Sequence, residues 1–241
     1  MDSDSRGPEF NAQTRYRSDT LGAGCTSVKR QLLRLAGVPD SVDVHSGYAR
    51  NAISVRNVLG KASHELLQST FPATRAMVAR HPLERLVSGY KDKFRNGGQV
   101  TGIWATYMTR HRKRRGFDTS NMTLPFPQFL EMVAFIMEAS GRSHIDRHFR
   151  PTTLLCSPCS VKYEYILHTG TLTEDIQYIM NKLNVDISLP FNKTRAPYEN
   201  YYKDIPGSLM KRIYILYKDD FLINNFTVTP FLRGAIQDDS V

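Results

Sequence analysis

The segment TRAMVARHPLERLVSGYKDKF, Thr74 to Phe94, constrains the fold most, because it reads as a short buried strand, a turn and an amphipathic helix in immediate succession. Thr74 to Arg80 is short and largely apolar, and His81-Pro82 ends it where proline is well placed to open a helix. Leu83, Leu86, Val87, Tyr90 and Phe94 then recur at the spacing of one helical face. Arg85, Ser88, Asp92 and Arg95 make the opposite face polar. Arg80 at the strand end and Ser88 early in the helix are predicted to reach an anion near the helix N-terminus, where backbone N–H groups favour negative charge. The alternative is a core helix whose charged side faces water.

A chain of 241 residues with 41% hydrophobic content can bury a substantial core in one domain. The expected organisation is a polar extension over 1–20, a domain over 21–233 and a polar tail over 234–241. Helices are predicted over 26–35, 103–115 and 171–183, around Phe129 to Met137 and from Pro206, with a strand over 162–167. Strands separated by helices argue for an α/β fold with a parallel sheet.

The net charge of +9 favours an acidic partner: a nucleotide, a sulfated or uronic-acid polysaccharide, nucleic acid or an anionic membrane surface. No apolar run approaches the roughly 20 residues that span a bilayer, and the first twenty residues hold no apolar signal core, so the chain as written reads as soluble. Three N-glycosylation sequons, at Asn121, Asn192 and Asn225, point the other way, toward the secretory route.

Gly22-Ala23-Gly24-Cys25-Thr26-Ser27-Val28-Lys29-Arg30 is a small-residue loop running into a helix, an arrangement that brings backbone N–H groups close to a phosphate. It lacks the spacing of a nucleoside-triphosphate P-loop. Leu155-Cys156-Ser157-Pro158-Cys159 holds a CxxC pair that fits a redox pair, half of a zinc site, a local disulfide or two free thiols; no second CxxC exists to complete a zinc site. The basic run Arg110 to Arg115 suits a uronic-acid chain, a solvated loop or a nuclear-localisation patch. No recognised nucleic-acid module accompanies it, so nucleic acid is not an expected partner.

Taken together, several of these stretches resemble the Golgi carbohydrate sulfotransferases of sulfotransferase family 2, in particular those of the chondroitin and dermatan 4-O-sulfotransferase type. Arg80 to Phe94 matches, almost residue for residue, the motif with which that family binds the 3′-phosphate of 3′-phosphoadenosine 5′-phosphosulfate, the sulfate donor. His81 stands where the family has an acidic residue. Gly24, Cys25, Thr26, Ser27, Lys29 and Arg30 match the family's 5′-phosphosulfate loop. The family's loop lysine, which neutralises charge on the bridging oxygen during transfer, falls at Gly22, and its tryptophan falls at Val28. The apolar strand that should precede the loop is replaced by Tyr16-Arg17-Ser18-Asp19-Thr20. Arg147-His148-Phe149, ahead of Leu-Cys-Ser-Pro-Cys and Lys162-Tyr163-Glu164, is similar to the family's E-H-W, L-C-x-P-C and K-Y-D. Asn192 to Arg195 resembles a segment ending S-T-R. Tyr217-Lys218-Asp219-Asp220-Phe221 matches the closing Y-K-x-D-F, with Tyr217 and Phe221 expected in the core.

The resemblance implies a P-loop-like α/β sulfotransferase that moves a sulfuryl group to a sugar hydroxyl, N-acetylgalactosamine of chondroitin or dermatan by likeness. Arg80 and Ser88 would bind the 3′-phosphate, the Gly24 to Arg30 loop the 5′-phosphosulfate, and Arg195 would approach the donor phosphates. His148 would take the acceptor proton, since imidazole titrates near neutrality. No metal is needed where basic groups and N–H donors stabilise the charge. An acidic or neutral glycan acceptor is implied, as are the Golgi lumen, a membrane anchor outside the sequence given and a disulfide between Cys156 and Cys159. Loss of one preorganised charge at the reacting centre costs ~3 kcal/mol of barrier, so Gly22 keeps a second reading open: a catalytically impaired, glycan-binding relative.

Overall fold

The computed structural model describes residues 14–15, 25–53, 74–95, 106, 109–110, 113, 124–185 and 197–232. Strand β1 (Thr14–Arg15), helices α1 (Cys25–Leu35) and α2 (Gly47–Ala52) and strand β2 (Thr74–Ala79) lead into α3 (Pro82–Tyr90). Helices α4 (Phe126–Ser140) and α5 (Thr152–Cys156), strand β3 (Tyr165–His168), and helices α6 (Leu172–Lys182), α7 (Gly207–Ile223) and α8 (Thr229–Leu232) follow. The fold is α/β and mostly helical, with a small sheet, as the alternation of strand and helix patterns predicts. Contacts divide the chain into two units, residues 1–78 with 158–189 and residues 79–157 with 190–241. The helix expected over 103–115 falls largely outside the described residues.

In the first unit the sheet has the order β1-β2-β3. β1 and β2 are parallel, with Thr14 opposite Thr74 and Arg15 opposite Arg75. A two-residue polar strand thus precedes the Gly22–Arg30 segment, while Tyr16 to Thr20, the residues expected to replace an apolar strand, lie outside the described residues. Two residues suffice because the ladder is made by backbone groups, which polar residues carry as well as apolar ones. The Glu164 N–H donates to the Arg75 carbonyl at 2.8 Å, which brings the chain entering β3 alongside β2.

Helix α1 stops where a glycine allows it. Val38 N–H donates to the Leu33 carbonyl at 2.8 Å and Gly37 N–H to the Arg34 carbonyl at 2.9 Å, with Gly37 at φ +72°. This is the Schellman arrangement, which satisfies the last carbonyls of a helix through a left-handed residue. It turns Val38 back onto Leu33, and both are buried with Val44 and Ala49 of α2. Ser46 caps α2, its hydroxyl accepting the Ala49 N–H at 3.1 Å. In α6, Leu172, Ile176, Ile179 and Met180 are buried, and the helix packs on β3. Asp175 accepts the His168 N–H and the Thr171 hydroxyl, closing the turn between the two elements.

The second unit is built on α3, α4 and α7. Leu83, Leu86 and Val87 meet Phe129, Leu130, Val133 and Met137 of α4, and Leu209, Ile213 and Phe221 of α7, in one core. Each such fully buried side chain contributes about 1.5–3 kcal/mol relative to exposure. Aromatic rings dominate: Phe129 lies edge-on to Phe149 at 5.0 Å and Phe126 edge-on to Tyr202 at 5.2 Å. The buried hydroxyl of Tyr90 donates to the Leu124 carbonyl at 2.7 Å, and that of Tyr202 to the Leu83 carbonyl at 2.8 Å. Burial pushes the Tyr202 phenol well up, so it stays a neutral donor at any physiological pH. After Tyr90 the chain continues as a π-helical turn, Lys91–Arg95.

Two positions in this unit depend on close fits. A Cβ on Gly89 would stand 2.4 Å from Cε1 of Phe149, a fully buried ring with little room to retreat. His81, in the place of an acidic cap, accepts the Leu83 N–H on Nδ1 at 3.2 Å. Nε2 must then carry the proton, and it donates to the Thr227 carbonyl at 2.9 Å. The ring stacks on Phe231, centroids 4.5 Å apart, and stands edge-on to Phe221.

Gly89→Ala is expected to destabilise the protein. Alanine gains about 0.5–1 kcal/mol over glycine inside a helix, whereas overpacking a filled core costs typically 1–3 kcal/mol. A chemical denaturation curve with a higher midpoint for the alanine variant would contradict this contact. Burial lowers the pKa of His81, and the Thr227 carbonyl and the Glu199 charge only partly oppose it. Its folded value therefore lies below the ordinary 6.5, so the stability it contributes is whole above that value and is lost as pH falls. Between pH 7 and pH 5 the melting temperature should fall more steeply for the native protein than for His81→Asn, which keeps a capping oxygen. Parallel slopes would rule out a buried neutral imidazole.

Candidate functional site

β2 delivers Arg80 to the start of α3 with its side chain only 11% exposed. The guanidinium lies 5.0 Å over the ring of Tyr198. Its Nε is 3.5 Å from the Glu84 carboxylate yet makes no hydrogen bond. A buried N–H without a partner is costly, about 1–3 kcal/mol, and a native fold keeps one where something else supplies the acceptor. Arg80 thus suits an anionic group such as a phosphate. Ser88, half-buried, is the seventh residue of α3, about 9 Å along the axis from Pro82 at the usual rise. It does not sit early in the helix, and the Leu83 N–H is already taken by His81. An anion shared by Arg80 and Ser88 would therefore lie along the flank of α3, and the expected reliance on the helix's first N–H groups is corrected.

The expected polar face of α3 needs a second correction. Arg85 is 3% exposed, and it donates from Nη1 to Thr152 Oγ1 at 3.0 Å and from Nη2 to the Arg147 carbonyl at 2.7 Å. Burial lowers its pKa, while Tyr217 and Asp220 pull the other way. Asp220, 1% exposed, accepts the N–H groups of Thr152 and Thr153 at 2.7 and 2.8 Å. Periodicity could not reveal Arg85 as buried, because its partners come from chain more than sixty residues away.

His148 lies in the turn between α4 and α5, with 34% of its side chain exposed. Its Nδ1 is 2.5 Å from Asp146 Oδ1, which also accepts the His148 backbone N–H at 2.8 Å. Burial by itself would raise the Asp146 carboxyl. The two hydrogen bonds from His148, with the charges of His148 and Arg147, outweigh it and hold the group below its usual value. An ionised Asp146 only accepts, so Nδ1 carries the proton directed at it, and in the uncharged form of the ring Nε2 keeps a lone pair. The pair can act as an oriented base. Asp146 went unnoticed in the sequence, although an aspartate two residues before a candidate histidine is the available signal.

In the first unit, Cys25, Thr26 and Ser27 form the first turn of α1. Lys29 is buried at 8% exposure, and Nη1 of Arg30 is buried without a hydrogen-bond partner. These two cations on a helix with no acidic residue in its first turn also suit a phosphate group. Gly22, Gly24 and Arg195 lie outside the described residues, as do Asn121 and Asn192. Asn225 is exposed in the turn between α7 and α8.

Cys156 is buried and Cys159 is exposed, and no disulfide joins them. The expected disulfide is therefore not formed; Ser157, in the left-handed region at φ 49°, turns the chain at the end of α5 and sends the two thiols into different surroundings. Arg110 and Lys113 of the basic run are exposed. Among the described residues no cluster of three or more His, Cys, Asp or Glu is placed to hold a metal ion, and no helix is long and apolar enough to cross a membrane.

The site invites comparison with known proteins. Carbohydrate sulfotransferase 10 of Danio rerio is 26% identical over 242 residues, covering 88% of this chain and 64% of that protein. Carbohydrate sulfotransferase 9 of Homo sapiens is 26% identical over 226 residues, 87% of this chain and 50% of that protein. Carbohydrate sulfotransferase 11 of Rattus norvegicus is 24% identical over 231 residues, 87% and 63%. The chain thus spans between half and two thirds of the length of these relatives. No solved structure matches it. The family model described as the sulfotransferase family matches residues 23–227, a span that takes in α1, the β2–α3 corner and the His148 turn. On that match this chain belongs to the sulfotransferase family.

Proposed function

We propose that this chain transfers a sulfuryl group from 3′-phosphoadenosine 5′-phosphosulfate to a sugar hydroxyl. The observation that carries the reading is the Asp146–His148 pair, which can act as an oriented base, in the same unit as Arg80, whose buried Nε makes no hydrogen bond. The relatives named carbohydrate sulfotransferases favour a sugar as acceptor. The net charge of +9 favours an acidic glycan, and the family likeness favours N-acetylgalactosamine of chondroitin or dermatan. A Golgi lumenal setting accords with these relatives, with membrane attachment through chain outside the sequence given. The catalytic domain would be residues 21–233.

The bound donor supplies an activated sulfuryl group with a good leaving group. Arg80 and Ser88 hold its 3′-phosphate; the family likeness, rather than any packing of the two units, assigns the 5′-phosphosulfate to Lys29, Arg30 and the loop from Gly24 through Cys25, Thr26 and Ser27, and a role toward the donor phosphates to Arg195. Nε2 of His148 receives the proton of the acceptor hydroxyl. The positive charge this places on the ring faces the Asp146 carboxylate at 2.5 Å, which stabilises it where it forms. Gly22, in place of the family's lysine, favours the second reading, a relative that binds donor and glycan but turns over poorly.

Incubation with radiolabelled donor and desulfated chondroitin tests the reading, alongside thermal stabilisation by adenosine 3′,5′-bisphosphate. Transfer together with stabilisation is expected. Stabilisation without transfer would favour the binding relative, and absence of both would sink the donor site. Arg80→Gln should weaken bisphosphate binding roughly 10- to 100-fold, the worth of hydrogen bonds to a charged group. Asp146→Asn should lower kcat on the order of 10²-fold or more while leaving bisphosphate affinity intact, as expected for loss of an oriented base. Gly22→Lys should raise turnover. Unchanged kcat in Asp146→Asn would remove His148 from the base role.

A further inference from the structure

We propose that Arg85, Tyr217 and Asp220 form a buried clamp that positions His148 against helix α3; the inference rests on His148 acting as the base. Each residue holds backbone or hydroxyl groups of the segment flanking His148. Arg85 donates to the Arg147 carbonyl at 2.7 Å, immediately before the histidine. The Tyr217 hydroxyl donates to the Phe149 carbonyl, immediately after it. Asp220 takes the N–H groups of Thr152 and Thr153 at the start of α5. Arg85 and Asp220 meet on one residue, Thr152, the first through its hydroxyl and the second through its N–H.

The clamp is dry and specific. Arg85, Tyr217 and Asp220 are 3%, 1% and 1% exposed. A buried arginine and aspartate cost several kcal/mol each in desolvation, so a hydrophobic pair would hold the core at least as well. What the charged pair adds is direction: a planar fork and a two-oxygen acceptor fix backbone groups at set angles. The histidine's own side chain takes no part in the clamp, and its 34% exposure leaves it free to meet an acceptor.

The clamp also ties His148 to the other half of the reaction. Arg85 and Ser88 share α3, and Gly89, next to Ser88, admits the ring of Phe149, next to His148, where a Cβ would stand 2.4 Å away. The residue beside the donor-binding serine thus touches the residue beside the base. A rigid link of this kind holds base and donor in register, and small misplacements of reacting groups are expensive.

The test uses the full chain with ¹⁵N-labelled histidine, His148 being assigned by its absence from His148→Asn. In the native protein the His148 resonances should show a single tautomer with the proton on Nδ1. Arg85→Lys keeps the charge but not the fork, and Tyr217→Phe keeps the ring but not the hydroxyl. In each, the ring should shift toward the Nε2–H form, kcat should fall about 10- to 100-fold, and affinity for adenosine 3′,5′-bisphosphate should change less than about threefold. A purely structural role would lower the melting temperature and leave the tautomer alone. If Arg85→Lys does not fold, Tyr217→Phe decides, because it leaves the core volume almost unchanged. An unchanged tautomer in a folded variant overturns the clamp. The tautomer is read without turnover, so a chain that transfers no sulfuryl group would sink the proposed function and still leave the clamp to be settled by the spectrum.

Discussion

The second unit depends on a guanidinium that has no water to turn to. Arg85 is buried by the same packing that buries Leu83, Leu86 and Val87 around it, and a charge so placed must find acceptors in the protein. Nη2 finds one in the Arg147 carbonyl and Nη1 another in the Thr152 hydroxyl, while the buried Nε makes no hydrogen bond. The turn from Asp146 to Arg150 is thereby drawn to α3, and α5 is anchored to α7 through Asp220. Without those partners the helix could not bury its second turn in this way. The apolar core and the polar grip on the turn are two sides of one packing solution.

Two histidines in this unit show how neighbours decide chemistry. His81 faces a backbone N–H and a carbonyl among aromatic rings, and burial keeps it neutral with its proton on Nε2. His148 faces an ionised carboxylate, which accepts from Nδ1 and leaves Nε2 outside that hydrogen bond. The first is spent on capping a helix and closing the chain between α7 and α8. The second pairs with Asp146 and keeps 34% of its side chain exposed. The same side chain is locked in one place and partly exposed in the other because its hydrogen-bond partners differ.

Much of this was legible in the sequence wherever a local rule sufficed. The β2–α3 corner was, since alternation of an apolar run with Pro82 and a helical apolar face depends on neighbours within a few residues. Arg80 as an anion ligand was plausible for the same reason. Local spacing puts Arg85 on the polar side of α3 and Ser88 near its start, whereas the fold buries the first and carries the second to the seventh helical position; spacing also leaves the state of Cys156 and Cys159 open. Helices α2 and α5 escaped notice, being too short to show a period; α2 rests on the Ser46 cap and α5 on Asp220 from α7. Asp146 lay two residues from a noted histidine, yet only the folded turn brings its carboxylate onto Nδ1.

The sequence by itself determined the α/β class, the strand–turn–helix corner and the family, because these are carried by periodicity and by runs of consecutive residues. Tertiary structure alone decided which charged residues are buried, which histidine is buried and which is partly exposed, and how the His148 turn is held against α3. The physical reason is range. Helix and strand signals act over three or four residues, whereas the grips of Arg85 on Arg147 and of Asp220 on Thr152 join residues 62 and 68 apart in the chain, and only packing brings them within hydrogen-bond distance.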